Sequence, residues 1–238
     1  MRKLIIILTI IAHCNSYGMT KKLDWDKAID NAITHYGLHT EPALKKLFNQ
    51  EHVAYPPQEV ALLAFKQERY IELWAKNYQT SWRYINKYPL TAFSGKLGPK
   101  LRVGDRQIPE GIYHLTSFNP YSNMHLSMMI NYPNQLDHLH AIQDGRKNLG
   151  GDIFIHGKSI SVGCLAIGNY AIDQIFMLAR RVGLKHMQII IAPNDLRKKP
   201  PATIQFTQPR WLPELYKQIS IQLKQFPVTN NNLMYAAK

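Results

Sequence analysis

Residues 151–169 read GDIFIHGKSISVGCLAIGN, with a histidine and a cysteine eight positions apart among glycines and small side chains. Asp152 to Ile155 has the length and apolar content of a short buried strand, ending at His156. Gly157 to Gly168 reads as a loop. Asn169 has the chemistry of a helix N-cap. Ile172, Ile175, Phe176, Ala179 and Val182 then recur on one face until Gly183 closes the pattern. Gln188 to Ala192 is a second buried strand, stopped by Pro193. Cys164 is thus predicted between a strand end and a helix start, where a helix N-terminus five residues on lowers a thiol's pKa modestly.

Working outward, the question is why this cysteine stands alone. The chain opens Met1-Arg2-Lys3, runs apolar from Leu4 to Ala12, and turns to small residues near Ser16 and Gly18. A short basic start, a brief apolar core and small residues form a secretory leader, predicted over residues 1–18. The apolar run is shorter than the roughly 20 residues a membrane span requires. Cys14 falls inside the leader, and His13 before it does not suit a lipid-attachment box. The mature chain would keep Cys164 alone. In an exported protein, an unpaired cysteine points to a reactive thiol or an intermolecular bond rather than to an apolar filler.

The rest of the chain supports one domain. The formal charge is +13, and losing Arg2 and Lys3 with the leader leaves +11. Such a charge suits acidic partners, but export argues against nucleic acid, and the basic residues are dispersed. Residues 19–57 read as a small helical extension: Ile29, Ala32, Ile33 and Tyr36 share one helical face, Gly37 ends it, and Glu41 to Asn49 forms a second short helix. After Pro56-Pro57 the texture changes. Glu59–Phe65, Tyr70–Ala75 and Trp82–Ala92 are strand-length apolar or aromatic runs, with polar turns such as Lys66–Arg69 between them. Phe93 to Gly111 is a loop punctuated by glycine and proline. Ile112–Ser117 and His125–Ile130 follow as strands and Leu136–Asp144 as a short helix. A domain over 58–210 is expected, then a helix from Pro213 to Phe226 within the 211–238 tail, whose last dozen residues fray. The fold class is α+β, β-rich.

A thiol attacks a carbonyl as thiolate and needs a base. His156, held on a strand end, is the candidate base for Cys164. The oxyanion formed needs donors already aimed at it, and backbone N–H groups at Val162, Gly163 and Cys164 could supply them. Gly163 allows the tight turn that aims them.

As spacing alone, His-x7-Cys is a weak signal. The surrounding words are more specific. Ile155-His156-Gly157, Ser161-Val162-Gly163-Cys164 and Asn169 resemble the L,D-transpeptidase catalytic domain of the YkuD type. Gly98-Pro99-Lys100, Gly104-Asp105, Pro109-Glu110-Gly111-Ile112-Tyr113, Asn119-Pro120 and Asn131-Tyr132-Pro133-Asn134 add to the likeness and point to its YafK-like branch. The resemblance covers about Glu59 to Ala192. It implies a mixed β-sandwich or barrel with a few packed helices. It also implies a periplasmic enzyme acting on peptidoglycan stem peptides, without metal or organic cofactor, and with a wall-anchored lipoprotein as a further partner. Cys164 would be nucleophile and His156 general base and acid, with Gly163, Val162, Gly157 and Ser161 around the oxyanion and substrate. The thioester would pass to an amine or to water. Val162 stands where many relatives carry histidine and Ala166 where many carry arginine, so His156 would act alone.

Two rival readings differ in class. A zinc hydrolase could use Asp137, His138 and His140 with His125 or His156. His138 and His140, however, lie two apart on a short helix and point different ways. A non-catalytic wall-binding protein could present Phe65, Tyr70, Trp74, Tyr78, Trp82 and Tyr84, residues that strands also favour for packing.

Overall fold

A computed structural model describes residues 6–204 and 207–228, with side chains from residue 24 onward. The predicted leader and most of the last dozen residues lie outside the side chains described. Eight strands form one curled sheet in the order β3-β2-β1-β8-β4-β5-β6-β7. The strands are β1 (Glu59–Phe65), β2 (Tyr70–Lys76), β3 (Arg83–Pro89), β4 (Gly111–Asn119), β5 (Ser127–Ile130), β6 (Phe154–His156), β7 (Leu165–Ala166) and β8 (Met187–Ala192). The helices are α1 (Ile6–Gln50), α2 (Gln135–Gln143), α3 (Asn169–Val182) and α4 (Leu212–Leu223). The architecture is α+β, as the sequence predicts. Among the described residues no helix is long and apolar enough to cross a membrane.

β1 is apolar from Val60 to Phe65 because both its faces are covered there. Val60, Leu62 and Ala64 pack into the cluster that includes Ile29, Leu44 and Phe48 of α1 and Ile172, Ile175 and Phe176 of α3. Ala61, Leu63 and Phe65 face Leu212, Leu215, Ile219 and Leu223 of α4. Thus α4 turns its apolar side to the sheet. β1 pairs antiparallel with β2 and parallel with β8, with Val60 opposite Met187.

β4 joins the two halves of the sheet. Gly111–His114 pairs with β8, and from Leu115 the strand pairs with β5, with an irregularity between Leu115 and Ser117. Such a bulge bends a strand and re-aims its partners. The far edge then returns toward the near one. Ala92, just past β3, bridges Ala166 of β7, and Thr91 N donates to Ala166 O at 2.8 Å.

Three local expectations are corrected. Gly37 does not end a helix: α1 continues through it, and through Pro42, to Gln50. Ile29, Ile33, Tyr36, Leu44 and Phe48 make one continuous stripe against the core. Its burial outweighs the ~1 kcal/mol that an interior glycine costs a helix. A Cβ on Gly37 would lie 2.5 Å from Met177 Cε, so the glycine leaves room for this side chain of α3 against α1. Asn169 is not the cap of α3; Gly168 is, and Asn169 Oδ1 instead accepts from Lys158 N at 2.9 Å. Lys66 is not a solvated turn residue. It is buried, and its Nζ donates to Gly98 O (2.7 Å), Ile108 O (2.8 Å) and Glu110 Oε1 (2.9 Å).

Candidate active site

β6 and β7 run parallel, with Ile155 opposite Leu165 and His156 opposite Ala166. Extending that register sets Cys164 beside Phe154, two positions before His156 on the neighbouring strand. Residues two apart share a face, so Cys164 and His156 stand on the same side of the sheet. Both line one groove of about 360 Å³, together with Asn119 at the end of β4, Tyr121 and Asn123 from the β4–β5 turn, and Ile160 and Val162 from the loop before Cys164.

The histidine is fixed by its own neighbour. His156 is buried, and its Nδ1 lies 2.6 Å from Gly157 O. A carbonyl can only accept, so Nδ1 carries the proton and Nε2 is the free basic nitrogen. Gly157 makes this possible. A Cβ there would lie 2.8 Å from both Met124 O and Asn169 Oδ1, so no side chain fits. Burial pushes the imidazole's pKa below its ordinary value, against the pull of the Gly157 carbonyl.

Cys164 Sγ accepts from Phe154 N at 3.4 Å and lies 3.7 Å from Asp152 O. Burial pushes the thiol's pKa up, opposed by the Phe154 N–H and by the positive charge of Lys100. The expected lowering by the α3 N-terminus is therefore overridden by desolvation. A histidine shifted down and a thiol shifted up are both neutral at rest, so the pair is not a preformed thiolate–imidazolium pair.

The loop that carries Cys164 is braced from the chain just past β3. Ser161 Oγ donates to Cys164 O (2.7 Å), and Ser94 Oγ lies 3.2 Å from Ser161 Oγ and accepts from Gly163 N (2.7 Å). Thr91 Oγ1 donates to Lys158 O at 2.6 Å. The N–H of Gly163 is thus already engaged by Ser94, so of the three backbone donors expected from the sequence it is not free to face the groove. Gly163 has φ +110°, a backbone region open to glycine. The Val162 side chain is exposed at the groove mouth. Ser94 and Thr91 carry no signal in the sequence; their relevance arises only when the curled sheet brings its edges together.

The histidines of the zinc reading have other uses. His140 stacks on Trp211 with ring centroids 3.9 Å apart, and His125 Nε2 lies 2.7 Å from Asp173 Oδ1. The described residues hold no group of three or more His, Cys, Asp or Glu side chains placed to bind a metal. Of the aromatic set in the wall-binding reading, Phe65, Trp74 and Trp82 are core residues, whereas Tyr78 stays exposed.

A curled sheet presenting a cysteine and a histidine on adjacent strands over one groove defines the class: the chain belongs to the YkuD family, the L,D-transpeptidase catalytic domain, whose model matches residues 60–191. More particularly, it is 32% identical over 159 residues to "Putative L,D-transpeptidase YafK" of Escherichia coli (strain K12), and equally to the protein of that name in Escherichia coli O157:H7. The match covers 65% of this chain and 60% of either relative, so the chain spans less than two thirds of their length. Among solved structures, the helical cell shape determining protein Pgp2 from Campylobacter jejuni is similar at TM-score 0.47 and 20% identity, covering 69% of this chain and 58% of that one. Bd1075 of Bdellovibrio bacteriovorus is similar at TM-score 0.41 and 23% identity, covering 73% and 57%.

Proposed function

We propose that the protein is an exported, periplasmic cysteine enzyme that remodels peptidoglycan at its stem peptides. One observation carries the reading: His156 Nδ1 is held by Gly157 O beside a groove that His156 and Cys164 both line. That arrangement supports an imidazole whose Nε2 is unprotonated and ready to act as general base. Nε2 takes the Cys164 proton as the sulfur attacks the carbonyl at the L-centre of the diamino acid in position three. The N–H groups of Val162 and Cys164 stabilise the oxyanion. The C–N bond breaks, the leaving amine takes the proton from His156, and a thioester remains. An acceptor amine or water, deprotonated by the same imidazole, then attacks the thioester; the C–S bond breaks, the Cys164 sulfur takes the proton back from His156, and a crosslinked or a trimmed peptide leaves. Both groups being neutral at rest favours proton transfer in concert with attack over a standing thiolate.

The test is incubation of the purified protein with muropeptides, followed by mass analysis. Loss of the terminal D-residue, its exchange, or a new 3-linked bond is expected, absent in Cys164→Ala. His156→Gln lowers the rate by about 10²–10⁴-fold, the usual contribution of a positioned general base. Turnover by Cys164→Ala equal to that of the unaltered protein refutes the mechanism. Insensitivity to EDTA with loss on thiol alkylation separates it from a zinc hydrolase.

A further inference from the structure

The groove has a rim that the reaction at Cys164 does not use. Tyr121, in the β4–β5 turn, lines the groove and is 66% exposed. Its ring meets Trp25 of α1 edge-on, with centroids 5.5 Å apart and planes at 64°. Trp25 is in turn tied to the end of β4, just before the turn, its Nε1 donating to Phe118 O at 3.3 Å. The turn is braced from within, since Tyr121 N donates to Asn119 Oδ1 (3.1 Å) and Met124 N to Ser122 Oγ (3.0 Å). It is also anchored to the nucleophile loop, where Lys158 Nζ donates to Asn123 O at 2.6 Å. An aromatic ring left open to water, backed by a second ring and carried on a braced turn, is preorganised to bind something flat.

We propose that Tyr121, backed by Trp25, is a saccharide-stacking subsite, so that the substrate is a stem peptide still joined to its glycan sugar. The inference rests on the reaction proposed above. Stem peptides carry methyl, carboxylate and amine side chains, none of which offers a flat face to an aromatic ring. The carbohydrate attached to them does: the C–H face of a pyranose lies on an aromatic ring, and its hydroxyl and N-acetyl groups reach amides such as those of Asn119 and Asn123. The dimensions agree. Ligand sites that bury a drug-sized molecule measure about 300–1,000 Å³. A groove of about 360 Å³ holds the peptide segment and leaves a sugar at the mouth, where Tyr121 stands. The subsite also gives α1 a purpose, since it delivers Trp25 to the rim from a segment outside the region matched by the family model.

The experiment compares kcat/KM for a disaccharide-tetrapeptide with that for the same tetrapeptide free of sugar, using the full chain. The unaltered protein should prefer the glycosylated substrate by about tenfold or more. In Tyr121→Ala the preference should fall about tenfold, the loss being larger on the disaccharide substrate. Tyr121→Phe should retain it, because the ring and not the hydroxyl makes the stack. Trp25→Ala should reduce it partway. Equal use of both substrates by the unaltered protein, or an equal loss on both in Tyr121→Ala, overturns the subsite and leaves the Cys164 reaction standing. No Cys164-dependent product from either substrate overturns the reaction, and the subsite with it.

Discussion

Replacing Lys66 with methionine is the sharpest test of how the site is supported. Lys66 is buried, and burial holds its pKa below that of an ordinary lysine despite the carboxylate of Glu110 beside it. Its Nζ satisfies Glu110 and the carbonyls of Gly98 and Ile108, which lie near the two ends of the Gly98–Gly111 loop. That loop lies against the turn before Cys164: a Cβ on Gly163 would sit 3.2 Å from Gln107 O. Methionine fills similar space but leaves Glu110 with only the Gly98 N–H and the Tyr216 hydroxyl as donors. Removing one partner of a buried ion pair costs about 3–5 kcal/mol. For a domain of this size, each kcal/mol is worth about 2–4 °C in Tm, so Lys66→Met should lower Tm by roughly 6–20 °C. Urea unfolding followed by circular dichroism reads the same loss as a lower midpoint at constant slope. The charge is the reason for the cost, so adding Glu110→Gln should recover part of it, with a coupling of at least ~1 kcal/mol. If Lys66→Met costs less than ~1 kcal/mol, or the two substitutions add without coupling, the buried pair does not hold the loop.

Two further outcomes follow from the site. Because burial raises the Cys164 thiol and lowers His156, thiolate accumulates only as pH rises through a value above that of a free thiol. Alkylation of Cys164 by iodoacetamide should therefore still be accelerating above pH 8, with its midpoint little moved in His156→Gln; a plateau at neutral pH refutes the neutral pair. Ser94→Ala leaves the Gly163 N–H without its acceptor and Ser161 Oγ without one partner. It should cost about 1–3 kcal/mol of stability, as for other unsatisfied buried groups. Its kcat should fall about tenfold with little change in KM, and an unaltered kcat in a normally stable variant removes Ser94 from the support of the turn.

The parts of the fold that were legible in the sequence are those with a strong period and a single environment. β1, β2, α3, β8 and α4 announce themselves through continuous apolar runs or one apolar face, and both elements flanking the Cys164 loop fall close to where the pattern puts them. What was not legible depends on partners far along the chain. Gly37 reads as a stop until Met177 is known to lie against it. Lys66 reads as a turn residue because its three acceptors are 32 to 44 positions away. β7 is only two residues long, too short for any alternation to register. Asn169 has the right chemistry for a cap, but its side chain is claimed by Lys158. At the site, the motif words single out the histidine and cysteine that the fold brings to one groove. They do not fix the state of the pair, since it is set by burial. The Ser94–Ser161 brace spans 67 positions and exists only because Thr91 and Ala92 meet β7.

The parallel pairing of β1 with β8 makes the first and last strands of the sheet neighbours near its middle. A chain emerging from the ribosome therefore has no seam on which to assemble the two halves until residues 187–192 are available. The motif that carries Cys164 is synthesised before that point, but its brace and its groove wall belong to opposite halves. A nascent or truncated molecule ending short of β8 would expose an unsupported thiol loop, so the shape of that loop is completed by the closing strand and not by the residues of the loop itself.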